Sequence, residues 1–196
     1  MISRNDNESG AGETVHAGIR SKLFSTEQPL LMVGEKMDLK SVKIDIPENA
    51  NVIIGQTHFI KSTEDLYEAV VGTVPQAKFG LAFSEASGPC LIRTEGNDER
   101  LKKLAAENAM RIGAGHIFII YLENSYPINV LNRIKDLQEV CTIFCATANP
   151  VDVIVAENER GRGVLGVIDG ERPKGVESAK DVEDRKAFLR KIGYKR

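Results

Sequence analysis

The chain has 196 residues, with 26 Lys and Arg against 28 Asp and Glu, a formal charge of −2, and 42% apolar residues. That is enough apolar material for one core, and the near-neutral balance excludes the broad basic face that a nucleic acid requires. The longest apolar runs, such as residues 117–122, are strand-sized and fall far short of the ~18 residues a bilayer helix needs, so no membrane partner is expected.

Residues 1–36 are polar and glycine-bearing apart from Leu30, Leu31, Met32 and Val33, and no period is sustained. They read as a flexible extension without the basic and apolar regions of a secretory signal, which leaves a domain over 37–196 and a cytoplasmic location. Cys141 and Cys145 would lie about 13 Å apart on one strand, too far for a disulfide, and with Cys90 they make an odd count that suits a reducing compartment.

Val42, Ile44 and Ile46 alternate with Lys43 and Asp45, a half-buried strand that Pro47 ends, and a second strand begins at Val52. Ser62-Thr63-Glu64-Asp65 reads as a helix start, with a side-chain oxygen capping free amides and with Leu66, Ala69, Val70 and Val74 buried. Residues 78–84 and 89–93 read as a hairpin turning through Ala86-Ser87-Gly88. Asn97 and Asp98 open a helix whose Leu101, Leu104, Ala105, Ala109 and Ile112 recur at helical spacing until Gly113-Ala114-Gly115 stops it before the strand at His116.

Pro127 starts a third helix with Ile128, Leu131 and Ile134 inward. Strands over 141–146, 151–157 and 163–168 follow, then a helix over 181–192 with Val182, Phe188, Leu189 and Ile192 inward. The order ββαββαβαβββα predicts an α+β fold, a mixed β-sheet covered by helices rather than a doubly wound one.

Residues 55–62 follow a strand and precede a helix, and Gly55, Lys61 and Ser62 meet the spacing of a phosphate-binding loop. Ile60 stands where the second glycine belongs, and its Cβ resists the conformation that wraps phosphate in amides, so this is not a true P-loop. His58, Lys61, Ser62 and Thr63 still make an anion site conceivable beside the plainer reading of an ordinary turn. Gly161, Gly163 and Gly166 spell GxGxxG but lead into a strand, so no helix dipole awaits a pyrophosphate. The same glycines allow close backbone approach to a ligand while Arg162 reaches a phosphate. His116 reads as a packing, capping or cleft residue, and Asn149 as an Asx turn or a base contact. Glu85, Glu157 and Asp169 close strands.

Residues 55–61, 78–83, Glu85 to Gly88, 113–116, 127–132, 145–150 and 161–170, taken in order, resemble the adenosine-specific kinase family from about residue 37 to the end. The resemblance implies an α+β subunit that forms a homo-oligomer, a trimer, and binds adenosine or its phosphates. It also implies ATP or another adenine nucleotide as phosphoryl source, with magnesium, and a histidine that carries the phosphoryl group. It does not say which histidine. His16 lies outside the match, and between the other two His58 is favoured over His116, because Lys61 and the helix start near Ser62 and Thr63 would compensate the phosphoryl charge. Lys61 and Arg162 are then the cations, and Glu85, Asn149, Gly161 and Gly163 further nucleotide contacts. The alternative is a sensor that holds an adenine nucleotide without turnover. A chain beginning at Met37 is expected to stay soluble and to melt cooperatively by circular dichroism; insolubility would contradict the boundary.

Overall fold

The computed structural model describes residues 37–196. The extension read over 1–36, with its apolar cluster and His16, lies outside the described residues. The elements are β1 (Asp38–Ile44), β2 (Asn51–Thr57), α1 (Ser62–Thr73), β3 (Lys78–Ser84), β4 (Ile92–Gly96), α2 (Glu99–Ile112), β5 (Ile117–Glu123), α3 (Pro127–Lys135), β6 (Val140–Thr147), β7 (Val151–Glu157), β8 (Arg162–Asp169) and α4 (Ala179–Lys191). Their order is the expected one.

The α+β class stands, but the strands divide between two sheets instead of forming one mixed sheet. Five strands are ordered β4-β3-β5-β2-β6 and three are ordered β1-β7-β8, with every strand-to-strand pairing antiparallel. The division follows from β1 pairing with β7, and the five-stranded sheet escapes being mixed through the crossover at α1. That crossover carries the chain from β2 to β3, two parallel strands that β5 fills by pairing antiparallel with both. A helix between two strands therefore did not make them neighbours.

β2, β3 and β5 are buried along almost their whole length, as strands covered on both faces must be. One face of the five-stranded sheet, with Ile53, Phe79, Leu81, Phe83, Phe118 and Ile120, packs against Leu66, Ala69 and Val70 of α1 and Val130 and Ile134 of α3. The other face, with Val52, Ile54, Ala82, Ile119 and Tyr121, meets Leu101, Ala105, Ala109 and Ile112 of α2 and Val151, Val153 and Val155 of the three-stranded sheet. Each fully buried side chain of this size contributes about 1.5–3 kcal/mol.

Two glycines set the spacing. A Cβ on Gly80 would lie 2.1 Å from the Lys102 nitrogen and 2.2 Å from the Leu101 carbonyl carbon, so α2 rests directly on the β3 backbone. A Cβ on Gly55 would lie 2.4 Å from the Phe118 ring, which makes Gly55 a packing residue inside β2 rather than part of a phosphate loop.

Local readings fared unevenly. Asp98 caps α2 by accepting the Leu101 amide at 3.0 Å, and Gly113 ends that helix at φ 66°. By contrast α1 has no side-chain cap: Lys61 occupies the capping position, and the Ser62 hydroxyl turns inward to donate to the Phe59 carbonyl at 2.6 Å. The second hairpin strand starts three residues later than expected, because Glu85 to Leu91 form the connection. Ile128 is exposed and Val130 takes the inward place on α3. No residue of α4 is buried, so its apolar positions, Phe188 included, do not enter the core of this chain.

Gly80→Ala is expected to destabilise by about 1–3 kcal/mol or more, since the extra methyl meets backbone that cannot rotate away. Gly72→Ala, on the exposed side of α1 with open space around it, serves as the control and should stabilise by about 0.5–1 kcal/mol. Urea denaturation of both variants checks the pair.

Candidate functional site

One edge of the five-stranded sheet collects most of the ionisable side chains singled out above. β2 and β3 end there, β4, β5 and β6 begin there, and α2 arrives through Gly113-Ala114-Gly115. His116 sits at φ 61°, a left-handed conformation uncommon outside glycine, and is locked on both sides: its amide donates to the Ser84 carbonyl at 2.8 Å and its carbonyl accepts the Thr57 amide at 2.9 Å. Its ring stacks on Phe83, with 6.1 Å between centroids and planes 5° apart. Its Nε2 lies 3.9 Å from Glu85 Oε1.

Glu85 is the organising carboxylate of this edge. Its partial burial works against ionisation, but the Ala86 amide, the Ser87 hydroxyl and Arg93 outweigh that and hold its carboxyl below the usual carboxylate range. Arg93, which the sequence reading did not single out, bridges Glu85 at 2.8 Å and the Ile60 carbonyl at 2.8 Å. It thereby ties the loop bearing His58 to the loop bearing Glu85. Only its register opposite Phe83 in β4 identifies it, and that register is a long-range fact.

Beside this edge lies a cleft of ≈ 680 Å³, with Ile92, Ala109, Met110 and Leu165 among its apolar walls and Glu85, Asn158, Arg160 and Arg162 among its polar groups. The turns at Gly113 to Gly115 and Gly161 to Gly163 supply exposed backbone. An isolated bridge between Ala114 and Arg162 joins the end of α2 to the start of β8, so both glycine turns meet. Gly115 must be small, because a Cβ there would come within 2.7 Å of Ala86. Cys90, exposed, also lines the cleft, whereas Cys145 is buried and desolvation pushes its thiol up to about 12.

The structure brings Glu85, Gly161, Arg162 and Gly163 to the cleft; His116 lies outside its lining, stacked on Phe83 with its Nε2 3.9 Å from Glu85. Arg162, however, is committed. Its Nε donates to Glu157 Oε2 at 2.9 Å, and its Nη1 donates to the Arg111 and Ile112 carbonyls at 2.9 and 3.3 Å, closing the C-terminal end of α2. His58 is exposed, outside the cleft lining, and its amide donates to the Glu139 carbonyl at 3.2 Å. Lys61 pairs with Asp65 and with Glu139, at 3.1 Å from the latter, and both raise its pKa above the ordinary value. The expected cationic seat around His58 is therefore already neutralised.

Ser62 and Thr63 are buried and face inward. Asn149 forms a turn whose side chain donates to Asp169 at 3.0 Å. It stands at the far end of β7 from Glu157, about 20 Å away at ~3.3 Å per residue. The glycine motif at 161–166 is a hairpin between β7 and β8, as its strand context implied.

The cleft is mostly apolar with a few convergent polar groups and sits on an α+β scaffold, the kind of concavity in which small ligands commonly bind. The family described as adenosine specific kinase matches residues 42–195, and the chain belongs to that family. It is similar to the PH1918 protein from Pyrococcus horikoshii OT3, whose crystal structure shares 46% identity and a TM-score of 0.79 and covers 82% of this chain and 99% of its own. No curated protein matches the chain.

Hydrogen bonds from Lys40 and Arg162 hold the Glu157 carboxyl below its ordinary value of 4.5. A carboxyl depressed in this way adds stability above that value, and the contribution is lost as pH falls through the folded-state value. Arg162→Met should lower stability at pH 7, and the gap to the wild type should shrink as pH falls below about 4 without vanishing, because the two helix carbonyls do not titrate. Thermal melts of the two chains across pH 3–7 measure it, and a gap that widens in acid would contradict the assignment.

Proposed function

We propose that the chain binds adenosine or an adenine nucleotide in the cleft and transfers a phosphoryl group that resides in passing on His116. The observation that carries the reading is the position of His116, pinned by two backbone hydrogen bonds with its Nε2 3.9 Å from Glu85, a carboxylate that lines the cleft. Apolar walls suit a nucleobase, and Glu85, Asn158 and the backbone of the two glycine turns suit its polar edge and the ribose hydroxyls. His58 recedes in this reading, because Lys61, the cation meant to support it, is bound by two carboxylates.

The chemistry balances simply. A neutral ring nitrogen of His116 attacks the terminal phosphorus of a nucleoside triphosphate, an N–P bond forms, and the P–O bond to the departing diphosphate breaks. Glu85 stabilises the imidazolium that results. An acceptor hydroxyl then displaces the histidine, releasing its proton to water or to a carboxylate. Among the described residues no group of three or more His, Cys, Asp and Glu converges to form a metal cage. Magnesium commonly binds through substrate phosphates with one or two carboxylates, and in this reading it enters with the nucleotide.

A second reading, a nucleotide sensor without turnover, draws support from Arg162 and Lys61, both engaged by carboxylates and so poorly placed to follow a moving phosphoryl group. Homo-oligomer formation is supported by α4, whose Phe188 is 58% exposed, and the trimer is carried over from the family resemblance. No helix among the described residues is long and apolar enough to cross a membrane.

Incubation with ATP labelled in the terminal phosphate, with and without adenosine and magnesium, tests the proposal. Acid-labile, base-stable label should appear on the wild type and on His58→Ala, fall at least about tenfold in Glu85→Gln, and disappear in His116→Ala. Label retained by His116→Ala would remove the histidine from the mechanism; tight adenosine binding without label or product would favour the sensor.

A further inference from the structure

The lining of the cleft includes four charged side chains, Glu85, Glu157, Arg160 and Arg162. Glu85 is paired with Arg93, and Glu157 with Lys40 and Arg162. Arg162 spends its remaining donors on the last carbonyls of α2. Arg160 alone of the four has no side-chain partner among the described residues.

Its backbone, by contrast, is fixed. The Asn158 side-chain oxygen accepts the amides of both Arg160 and Gly161, at 2.9 and 3.2 Å, and the Asn158 amide donates to the Gly161 carbonyl at 3.0 Å. The turn between β7 and β8 therefore presents a guanidinium at the cleft from a preorganised base, with its donors unspent. The other charges of the cleft are answered within the fold, the carbonyls at the end of α2 and Glu157 by Arg162 and Glu85 by Arg93, so an anionic group on a ligand here has one cation of the lining left to meet.

We infer that Arg160, and not Arg162, is the residue that receives the phosphate of a ligand bound here, an assignment that rests on the adenine-nucleotide reading. Arg162 then acts as a positioning residue that closes α2 and aligns the two glycine turns. Arginine's planar fork suits a phosphate with two parallel hydrogen bonds, which lysine cannot reproduce.

Calorimetric titration of the full chain with adenosine and with AMP, on the wild type, Arg160→Gln and Arg160→Lys, separates these roles. Arg160→Gln should weaken AMP roughly tenfold while leaving adenosine within about twofold, and Arg160→Lys should recover part of the loss. Equal weakening of both ligands, or no change in either, overturns the assignment while leaving the nucleotide reading in place. A wild-type chain that takes up neither ligand overturns the nucleotide reading and the assignment with it. Circular dichroism of both variants checks that the exposed turn tolerates the changes.

Discussion

The two hydrogen bonds made by the His116 backbone hold together the end of the five-stranded sheet that faces the cleft. By donating to Ser84 and accepting from Thr57, one residue extends the β3–β5–β2 ladder a step beyond β5 and fixes the ends of both flanking strands. Reaching that position from α2 requires left-handed backbone at Gly113 and again at His116, with Gly115 squeezed against Ala86 between them. A histidine tolerates that conformation at modest cost, and such local strain persists only where neighbours over-determine it. Here they do: the ring is stacked, and both backbone polar groups are satisfied.

The electrostatics of the region follow from how the helix ends are closed. The free carbonyls at the end of α2 would project negative charge into the cleft, and Arg162 answers them while also neutralising Glu157. At the start of α1 the opposite arrangement holds: Lys61 is turned toward the buried Glu139 and toward Asp65, and no side chain caps the helix. Two cations that look equivalent in the sequence are thus both consumed by structure, one at each helix end.

What was legible in the sequence was what short-range chemistry determines. The order of elements, the Asp98 cap, the Gly113 stop, the Pro127 start and the buried stripe of α1 all come from residues within a few positions of one another. The partition into two sheets did not, because it depends on β1 pairing with β7 from far along the chain, just as the lack of parallel neighbours depends on β5 entering between β2 and β3. Arg93 escaped notice for the same reason, because only the folded chain brings it to Ile60 and Glu85, whereas Arg160 lies in a local turn made by Asn158. In α4 the apolar stripe was real, but periodicity reports only that a helix has two faces, not that the same chain supplies something to cover one of them. The motif of residues 55–62 misled differently. Its glycine serves the Phe118 ring and its serine serves the Phe59 carbonyl, so packing accounts for letters that chemistry might have claimed.

The placement of the three thiols has a practical corollary. Cys90 is exposed on the wall of the cleft, Cys141 is exposed on the edge strand β6, and Cys145 is buried with its thiol held in the protonated form. Alkylating reagents attack thiolates, so Cys145 should be spared while the other two react at separable rates. With Cys141 as the internal clock, the protection of Cys90 from modification becomes a direct gauge of whether the cleft is filled, independent of any turnover.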